Sequence, residues 1–523
     1  MVGRLVGEEA FSPEEQGPKS VALISPLEQN PPLEGFSRLI NLPRYGTTSV
    51  ATALAKAGYR VRVFSEFVRA DIDWDFVLKA DYVCFGLLSY CALRGYDMAA
   101  MVRARSRAPI IFGGSHASVL PEDCLRYCDY AVRNEGEETV VELLGRLDRG
   151  ENVSDVKGIS YRDGCGRIVH NPDRPFMKDI DLVPDTSLVE NYRPISSLDM
   201  VKNLLLRRRL LINAQLLQTS RGCPHQCTFC FGRVELGSQY RLRSIDSVIT
   251  DIKNKLEYLK SNWFYVVDNE FTVNRKRTRE LLERIIHEFG NRLRMLVFAR
   301  IDISADEELL DLMKRAGVYR IYLGIESVND STLSEYRKRQ TVHDIEASVA
   351  TIYRHGLEVF ASLVLGSEHD TAETIRDTFT FLIRNRVHAI CMLSLYDFPT
   401  KERCLGVRQV LPDNRFIHHD WRFYNGNFVI HYPRQIRPST LQHELIDGTR
   451  RFYSSARILG QLVRGNVDYL TQFHSLKPVL ETMRRYAEVL ERYELGLYDH
   501  NDVLIEEKLP SPEQTRLSTY LPI

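Results

Sequence analysis

The sequence predicts an α/β chain in three parts: a doubly wound parallel-sheet domain, an incomplete parallel barrel of six βα units, and a mainly helical extension. Three observations carry this. Short apolar runs alternate with helical patterns over residues 19–165 and again over 206–400. A stretch spaced by Pro172, Pro175, Pro184 and Pro194 separates the two series and reads as a linker, residues 166–205. Beyond residue 400 the alternation is lost, and 401–523 reads as the extension.

Residues 1–18 are a polar, acidic tail with no apolar core of signal-peptide length. In the first domain, Val21-Ala22-Leu23-Ile24 reads as a strand and 49–57 as a helix closed by Gly58. Strands at 61–64, 81–88, 109–112 and 129–132 follow, the last leading into a helix at 138–147. Such sheets bind ligands outside the carboxyl ends of their strands. Those ends carry Ser89-Tyr90-Cys91, Gly113-Gly114-Ser115-His116 and Asn134-Glu135-Gly136-Glu137-Glu138. The paired glycines let backbone approach a large ligand. A hairpin is expected at 158–161 and 167–170, turning through Asp163-Gly164.

The barrel strands are expected at 215–218, 264–267, 295–298, 320–323, 359–365 and 389–393. Between them, Ile245, Val248, Ile249, Ile252, Leu256 and Leu259 recur at helical spacing. Ser304-Ala305-Asp306-Glu307 reads as a capping box, and Gly290, Gly317 and Gly356 close helices. Barrels of this kind place reactive groups at the carboxyl ends of strands. After the first strand comes Arg221-Gly222-Cys223-Pro224-His225-Gln226-Cys227-Thr228-Phe229-Cys230. Three closely spaced thiolates suit three irons of a 4Fe–4S cube and leave the fourth open to something other than protein. The competing reading is zinc, which wants four protein ligands, usually in paired C-x2-C knuckles. No second knuckle lies nearby. The other seven of the ten cysteines read as reduced thiols, Cys124 and Cys128 included.

The cysteine spacing, with an aromatic residue just before the last cysteine, resembles the radical S-adenosylmethionine (SAM) superfamily. The resemblance implies that the open iron chelates SAM, and that an electron splits SAM to a 5′-deoxyadenosyl radical. That radical abstracts hydrogen from an unactivated substrate carbon. It further implies SAM contacts at the strand ends. Asp268, Asn269 and Glu270 would meet the ammonium, which needs acceptors. Arg300 would offer its planar fork to the carboxylate. Gly324 and Glu326 would meet the ribose, and Gly366 and Phe229 the adenine. The first domain resembles the Rossmann-like cobalamin-binding domain that precedes many radical SAM domains, which implies corrinoid contacts at Ser89, Gly113, Gly114, Ser115, Asn134, Glu135 and Gly136. One departure stands out. Some relatives carry Asp-x-His-x-x-Gly after the first strand, with a cobalt-ligating histidine; here the segment is Ser25-Pro26-Leu27-Glu28-Gln29-Asn30. His116 follows the fourth strand and reads as a loop residue. A domain that has lost its ligand remains the alternative.

The extension, with helices expected at 438–452 and near 474–494, resembles that of one branch of cobalamin-type radical SAM proteins. The resemblance implies a cover over the barrel that lines a substrate pocket. Tyr424, Tyr432 and Tyr453 face either substrate or core. The implied activity is methyl transfer from methylcobalamin to a small-molecule, lipid or natural-product substrate, with an electron donor such as flavodoxin or ferredoxin. Non-methylating chemistry (cyclisation, ring rearrangement or carbon–carbon coupling) and a non-catalytic carrier are the alternatives. No catalytic acid or base is named, because radical abstraction needs none on the protein. Lys plus Arg equals Asp plus Glu at 69 each, so nothing in the charge favours nucleic acid, and Arg207-Arg208-Arg209 reads as a solvated patch. No run approaches the roughly 20 apolar residues of a membrane span, and a cytoplasmic protein is expected.

Overall fold

The computed structural model describes residues 17–27, 42–68, 71–192, 214–398, 411, 413–463 and 468–509. Glu28, Gln29, Asn30, Pro194, Arg207, Arg208, Arg209, Cys404 and most of the 1–18 tail lie outside the described residues.

In the first domain, β1 (Ser20–Ser25), β2 (Arg60–Ser65), β3 (Tyr82–Gly86), β4 (Ile110–Gly113) and β5 (Tyr130–Val132) pair in parallel, in the order β2-β1-β3-β4-β5. The strands are almost wholly apolar because helices cover both faces. Ala22, Ile24, Val83, Phe85 and Phe112 pack on the side of helix Ala92–Arg103. Val21, Leu23, Val63, Cys84 and Ile111 pack against helices Tyr45–Lys56 and Glu137–Asp148. The expected hairpin forms as β6 (Ile159–Arg162) and β7 (Ile168–His170), but it pairs antiparallel with β5 and completes the edge of this sheet. The 165/166 boundary therefore cuts through one sheet. Arg133 explains the attachment, its guanidinium donating to the Ile159 carbonyl at 2.8 Å.

The second sheet is an open, all-parallel array of six strands: β8 (Ala214–Leu217), then, after a two-strand antiparallel hairpin of β9 (Ser220–Arg221) and β10 (Arg241–Leu242), β11 (Trp263–Val266), β12 (Arg294–Ala299), β13 (Val318–Glu326), β14 (Glu358–Leu365) and β15 (Ala389–Ser394). Alternate residues such as Val297, Ile321, Leu323, Val359 and Ala361 are fully buried in the main core. The capping expectation is corrected by two residues. Asp306 caps helix Glu307–Arg315, accepting from the Leu309 amide at 3.1 Å, whereas Ser304 donates to the Ile301 carbonyl inside a 3₁₀ turn.

Helices Pro438–Phe452, Ser455–Val463 and Asp468–Tyr493 lie in the extension, the first packing on helix Ala372–Arg384 of the barrel. The extension also reaches the first domain, where Trp421 sits edge-on to His116 at 5.6 Å. Tyr424, Tyr432 and Tyr453 are core residues, 2%, 0% and 2% exposed. Among the described residues no helix is long and apolar enough to cross a membrane.

Candidate functional site

The cysteine loop hangs from the β9–β10 hairpin, whose paired positions are Arg221 with Arg241 and Ser220 with Leu242. Gly222 opens the loop at φ +84°, and a Cβ there would stand 2.1 Å from the Gln239 carbonyl oxygen, so only glycine fits. The Cys223 amide donates to the Gly237 carbonyl at 3.2 Å, the Cys230 amide to the Cys227 carbonyl at 3.3 Å, and the Thr228 amide to the Tyr336 carbonyl at 3.3 Å. All three cysteines are half-buried. Burial pushes the Cys223 thiol up to about 11 and raises Cys230 as well, so their thiolates need a cation at hand. Among the described residues no group of three or more His, Cys, Asp or Glu side chains is disposed to hold a single metal ion. Thiolates serving different irons of a cluster need not meet at one point.

The ends of the barrel strands gather around this loop. Asp268 is spent on structure: its carboxylate accepts from the Thr219 amide (2.6 Å), the Thr219 hydroxyl (2.5 Å) and the Ser220 hydroxyl (2.7 Å), tying β11 to β8. Asn269 donates its amide to the Gly232 carbonyl at 3.0 Å. Glu270 differs from both. One carboxylate oxygen takes the Thr272 amide (2.9 Å) and hydroxyl (2.5 Å), and the other is buried without a partner. Burial raises the Glu270 pKa, and its charge is close enough to raise that of Cys223. An orphaned acceptor beside the cysteine loop fits an ammonium group.

Arg300 brings one nitrogen to 3.8 Å from Cys227 Sγ, donates another to the Lys338 carbonyl at 2.5 Å and has Asp302 within 3.5 Å. Glu326 has φ +67°, a strained conformation for a non-glycine residue, at a register break between β13 and β14. Its carboxylate meets Lys338 Nζ at 3.1 Å and the Ser362 hydroxyl at 3.2 Å, so it is already neutralised. Gly324 lies under that pair, and a Cβ there would stand 2.8 Å from both Lys338 Nζ and Glu326. Gly366 (φ +101°) donates its amide to Asp370 at 2.8 Å, and its carbonyl faces His431 Nε2 of the extension at 2.9 Å. Phe229 packs on Tyr336 with ring centroids 4.8 Å apart.

At the strand ends of the first domain lies a cavity of about 570 Å³, within the usual range for ligand pockets. Gly86, Leu87, Gly113, Gly114, Ser115, Asn134, Glu135 and Gly136 wall it on one side, and Gln218, Arg221, Leu236 and Val267 of the barrel region on the other. Gly114 (φ +96°) would place a Cβ 2.5 Å from the Leu87 carbonyl oxygen, so the wall needs glycine there. Ser89 is absent from the wall. Its hydroxyl meets His116 Nδ1 at 3.1 Å, and Tyr96 meets His116 Nε2 at 2.7 Å. With both nitrogens engaged and burial lowering its pKa to about 3, His116 has no lone pair to offer a metal.

Glu135 lines the cavity yet belongs to an ion network. It pairs with Arg221 (2.9 Å) and Arg241 (2.8 Å), while Glu137 pairs with Arg221 at 2.7 Å. Burial favours the neutral form of Glu137, but the Arg221 guanidinium outweighs this and lowers its pKa. Sequence reasoning missed Arg221, Arg241, Glu137 and the cavity-facing Glu235 on the short helix Gly232–Leu236. The signals were the position of Arg221 directly before Gly222-Cys223 and that of Glu137 at the end of the fifth strand.

Comparison with known proteins follows the same division. The family model described as B12 binding domain matches residues 39–144, and that described as Radical SAM superfamily matches residues 217–382. The chain thus carries a B12-binding domain followed by a radical SAM domain. It is 29% identical over 281 residues to an uncharacterized methyltransferase of Pyrococcus horikoshii, covering 52% of this chain and 57% of the relative. It is 27% identical over 359 residues to the anaerobic magnesium-protoporphyrin IX monomethyl ester cyclase of Rubrivivax gelatinosus, covering 65% of this chain and 61% of the relative. Each match thus spans less than two thirds of the relative's own length. Among solved structures, the radical SAM methyltransferase TsrM from Kitasatospora setae, with cobalamin and a [4Fe-4S] cluster bound, superposes with a TM-score of 0.63 at 19% identity, over 91% of this chain and 100% of that one. That likeness establishes the fold: a Rossmann-like domain followed by a parallel half-barrel.

Proposed function

We propose that this protein is a cobalamin-dependent radical SAM enzyme that methylates an unactivated carbon of a small-molecule, lipid or natural-product substrate. The observation that carries the reading is the adjacency of cavity and cysteine loop: Glu235 and Leu236, which line the cavity, follow Cys230 by five and six residues. Cys223, Cys227 and Cys230 would hold a 4Fe–4S cluster. The free oxygen of Glu270 would receive the SAM ammonium and Arg300 the carboxylate, with Gly324, Glu326, Gly366 and Phe229 around the nucleoside. Gly113, Gly114, Ser115, Asn134 and Gly136 would meet the corrinoid; Ser89 and Glu135 serve His116 and the ion network instead. When bound, these groups supply the electron that splits SAM, the radical that takes hydrogen from the substrate and the methyl group that replaces it. The chain contributes binding, orientation and exclusion of water, its extension being packed on both domains. The word methyltransferase in the names of the Pyrococcus relative and of TsrM supports the reading. Flavodoxin or ferredoxin is the proposed electron donor, and the cytoplasm the proposed compartment.

A second reading, radical chemistry without methyl transfer, draws on the cyclase activity named for the Rubrivivax relative. Anaerobically purified protein, with iron, sulfide and cobalt quantified together, then given SAM and a reductant, separates the readings. Methylated product with 5′-deoxyadenosine supports the first, and 5′-deoxyadenosine without methylation the second. A non-catalytic carrier would make no 5′-deoxyadenosine. Cys227→Ala is expected to abolish SAM cleavage, and zinc in place of iron and sulfide would end both enzymatic readings.

A further inference from the structure

The cavity and the cysteine loop are joined by more than proximity. Each strand of the β9–β10 hairpin contributes one arginine, at paired positions. Arg221 donates to Glu135 at 2.9 Å and to Glu137 at 2.7 Å. Arg241 donates to both oxygens of Glu135, at 2.9 and 2.8 Å, and to the Leu236 carbonyl at 2.7 Å. All four side chains are 7% exposed or less. On one side of this clasp, Glu135 and Glu137 flank Gly136, and all three line the cavity. On the other, Arg221 precedes Gly222-Cys223, while Leu236 lies next to Gly237, whose carbonyl holds the Cys223 amide. Charge-assisted bonds therefore run from the cavity wall to both strands of the hairpin that carries the cysteine loop, and through Leu236 and Gly237 to the Cys223 amide.

We propose that Arg221 and Arg241 are positioning residues that couple occupancy of the corrinoid cavity to the geometry of the cluster loop. The proposal rests on the reading of both sites given above. Guanidinium–carboxylate hydrogen bonds are short and charge-assisted, and a buried pair is costly to break by removing one partner. A ligand that fixes the Glu135–Glu137 turn therefore fixes the hairpin, and a cluster that fixes the hairpin fixes the turn. Linkage makes the effect reciprocal.

The test is titration of hydroxocobalamin into iron-free and cluster-loaded protein, with the ratio of the two dissociation constants as the coupling factor. In the wild type, cluster-loaded protein is expected to bind about tenfold or more tightly, within the usual range of such couplings. The electron paramagnetic resonance spectrum of the reduced cluster is expected to shift when cobalamin is added. Arg241 lines neither the cavity nor the cysteines. In Arg241→Gln the ratio should fall to about threefold or less, and the spectral shift should vanish although both ligands bind. A wild-type ratio within about twofold of unity overturns the proposal. So does an unchanged ratio in folded Arg241→Gln. If that variant fails to fold, Arg241→Lys keeps the charge but loses the fork: an intermediate ratio supports the coupling, and an unchanged one overturns it. Wild-type protein that assembles no cluster or takes up no cobalamin overturns the site readings themselves, and does so before any variant is made.

Discussion

Gly222→Ala puts the architecture of the cysteine loop to a quantitative test. At φ +84° an alanine is strained by about 1–2 kcal/mol. Its Cβ would also lie 2.1 Å from the Gln239 carbonyl oxygen, a backbone atom that has no rotamer to retreat to. Relieving that contact moves the Gln239 carbonyl by about 1 Å, toward the separation that packed atoms require. The move disturbs the Cys223 amide bond to Gly237 and the short β9–β10 pairing, at about 1 kcal/mol per hydrogen bond. The sum is about 3–5 kcal/mol, concentrated at the cluster end of the chain. Gly150→Ala is the matched control, because Gly150 also has a positive φ (+64°) but nothing within 4 Å of the added atom. It should cost only the backbone strain. The assay is iron and sulfide per chain after anaerobic reconstitution, with urea midpoints read by fluorescence. Gly222→Ala should lose most of its iron, and Gly150→Ala none. Equal iron in the two variants, with equal midpoint shifts, would refute the reasoning.

Two further outcomes follow from the same geometry. Glu270→Gln removes the charge from a buried carboxylate oxygen without a hydrogen-bond partner beside the loop, and should weaken binding of S-adenosylhomocysteine by about tenfold or more, the usual worth of a charged hydrogen bond. Equilibrium dialysis on cluster-loaded protein checks this, and unchanged affinity removes Glu270 from the ammonium site. Burial, reinforced by Glu368 and Asp370, raises the Glu335 carboxyl to about 7. The folded protein therefore holds a proton that the unfolded chain has released, and stability present below the ordinary value of 4.5 is lost as pH rises through about 7. Glu335→Gln should abolish that decline, so its advantage over wild type in thermal unfolding of iron-free protein should grow between pH 5 and pH 8; a pH-independent difference would contradict it.

The parallel strands were legible because both faces of each sheet are covered, which leaves continuous apolar runs bounded by turns. The Cys-x3-Cys-x2-Cys spacing and the polar residues at the strand ends were equally readable, since they are local features. What the sequence concealed was pairing across distance. Glu135 and Glu137 meet arginines 84 to 106 positions away. Asp268 is consumed by residues 48 and 49 positions before it. One sequence cannot report such partnerships, so a carboxylate at a strand end looks free whether it is or not. The capping error at Ser304 was of another kind. Ser304 and Asp306 both have acceptor side chains suited to a cap, and the 3₁₀ turn that chooses between them is set by packing.

The grip of the extension on Gly366 also constrains how the gene can be cut. Leu441 and His431 stand where any side chain at Gly366 would go, and Gln435 holds the Glu368 carbonyl at 2.7 Å. A fragment ending near residue 400 would strip these supports from the fifth strand's turn and bare the apolar flank of helix Ala372–Arg384. The barrel is thus not a separable module, and expressing the two matched domains without the last quarter of the chain should yield aggregate rather than a minimal enzyme.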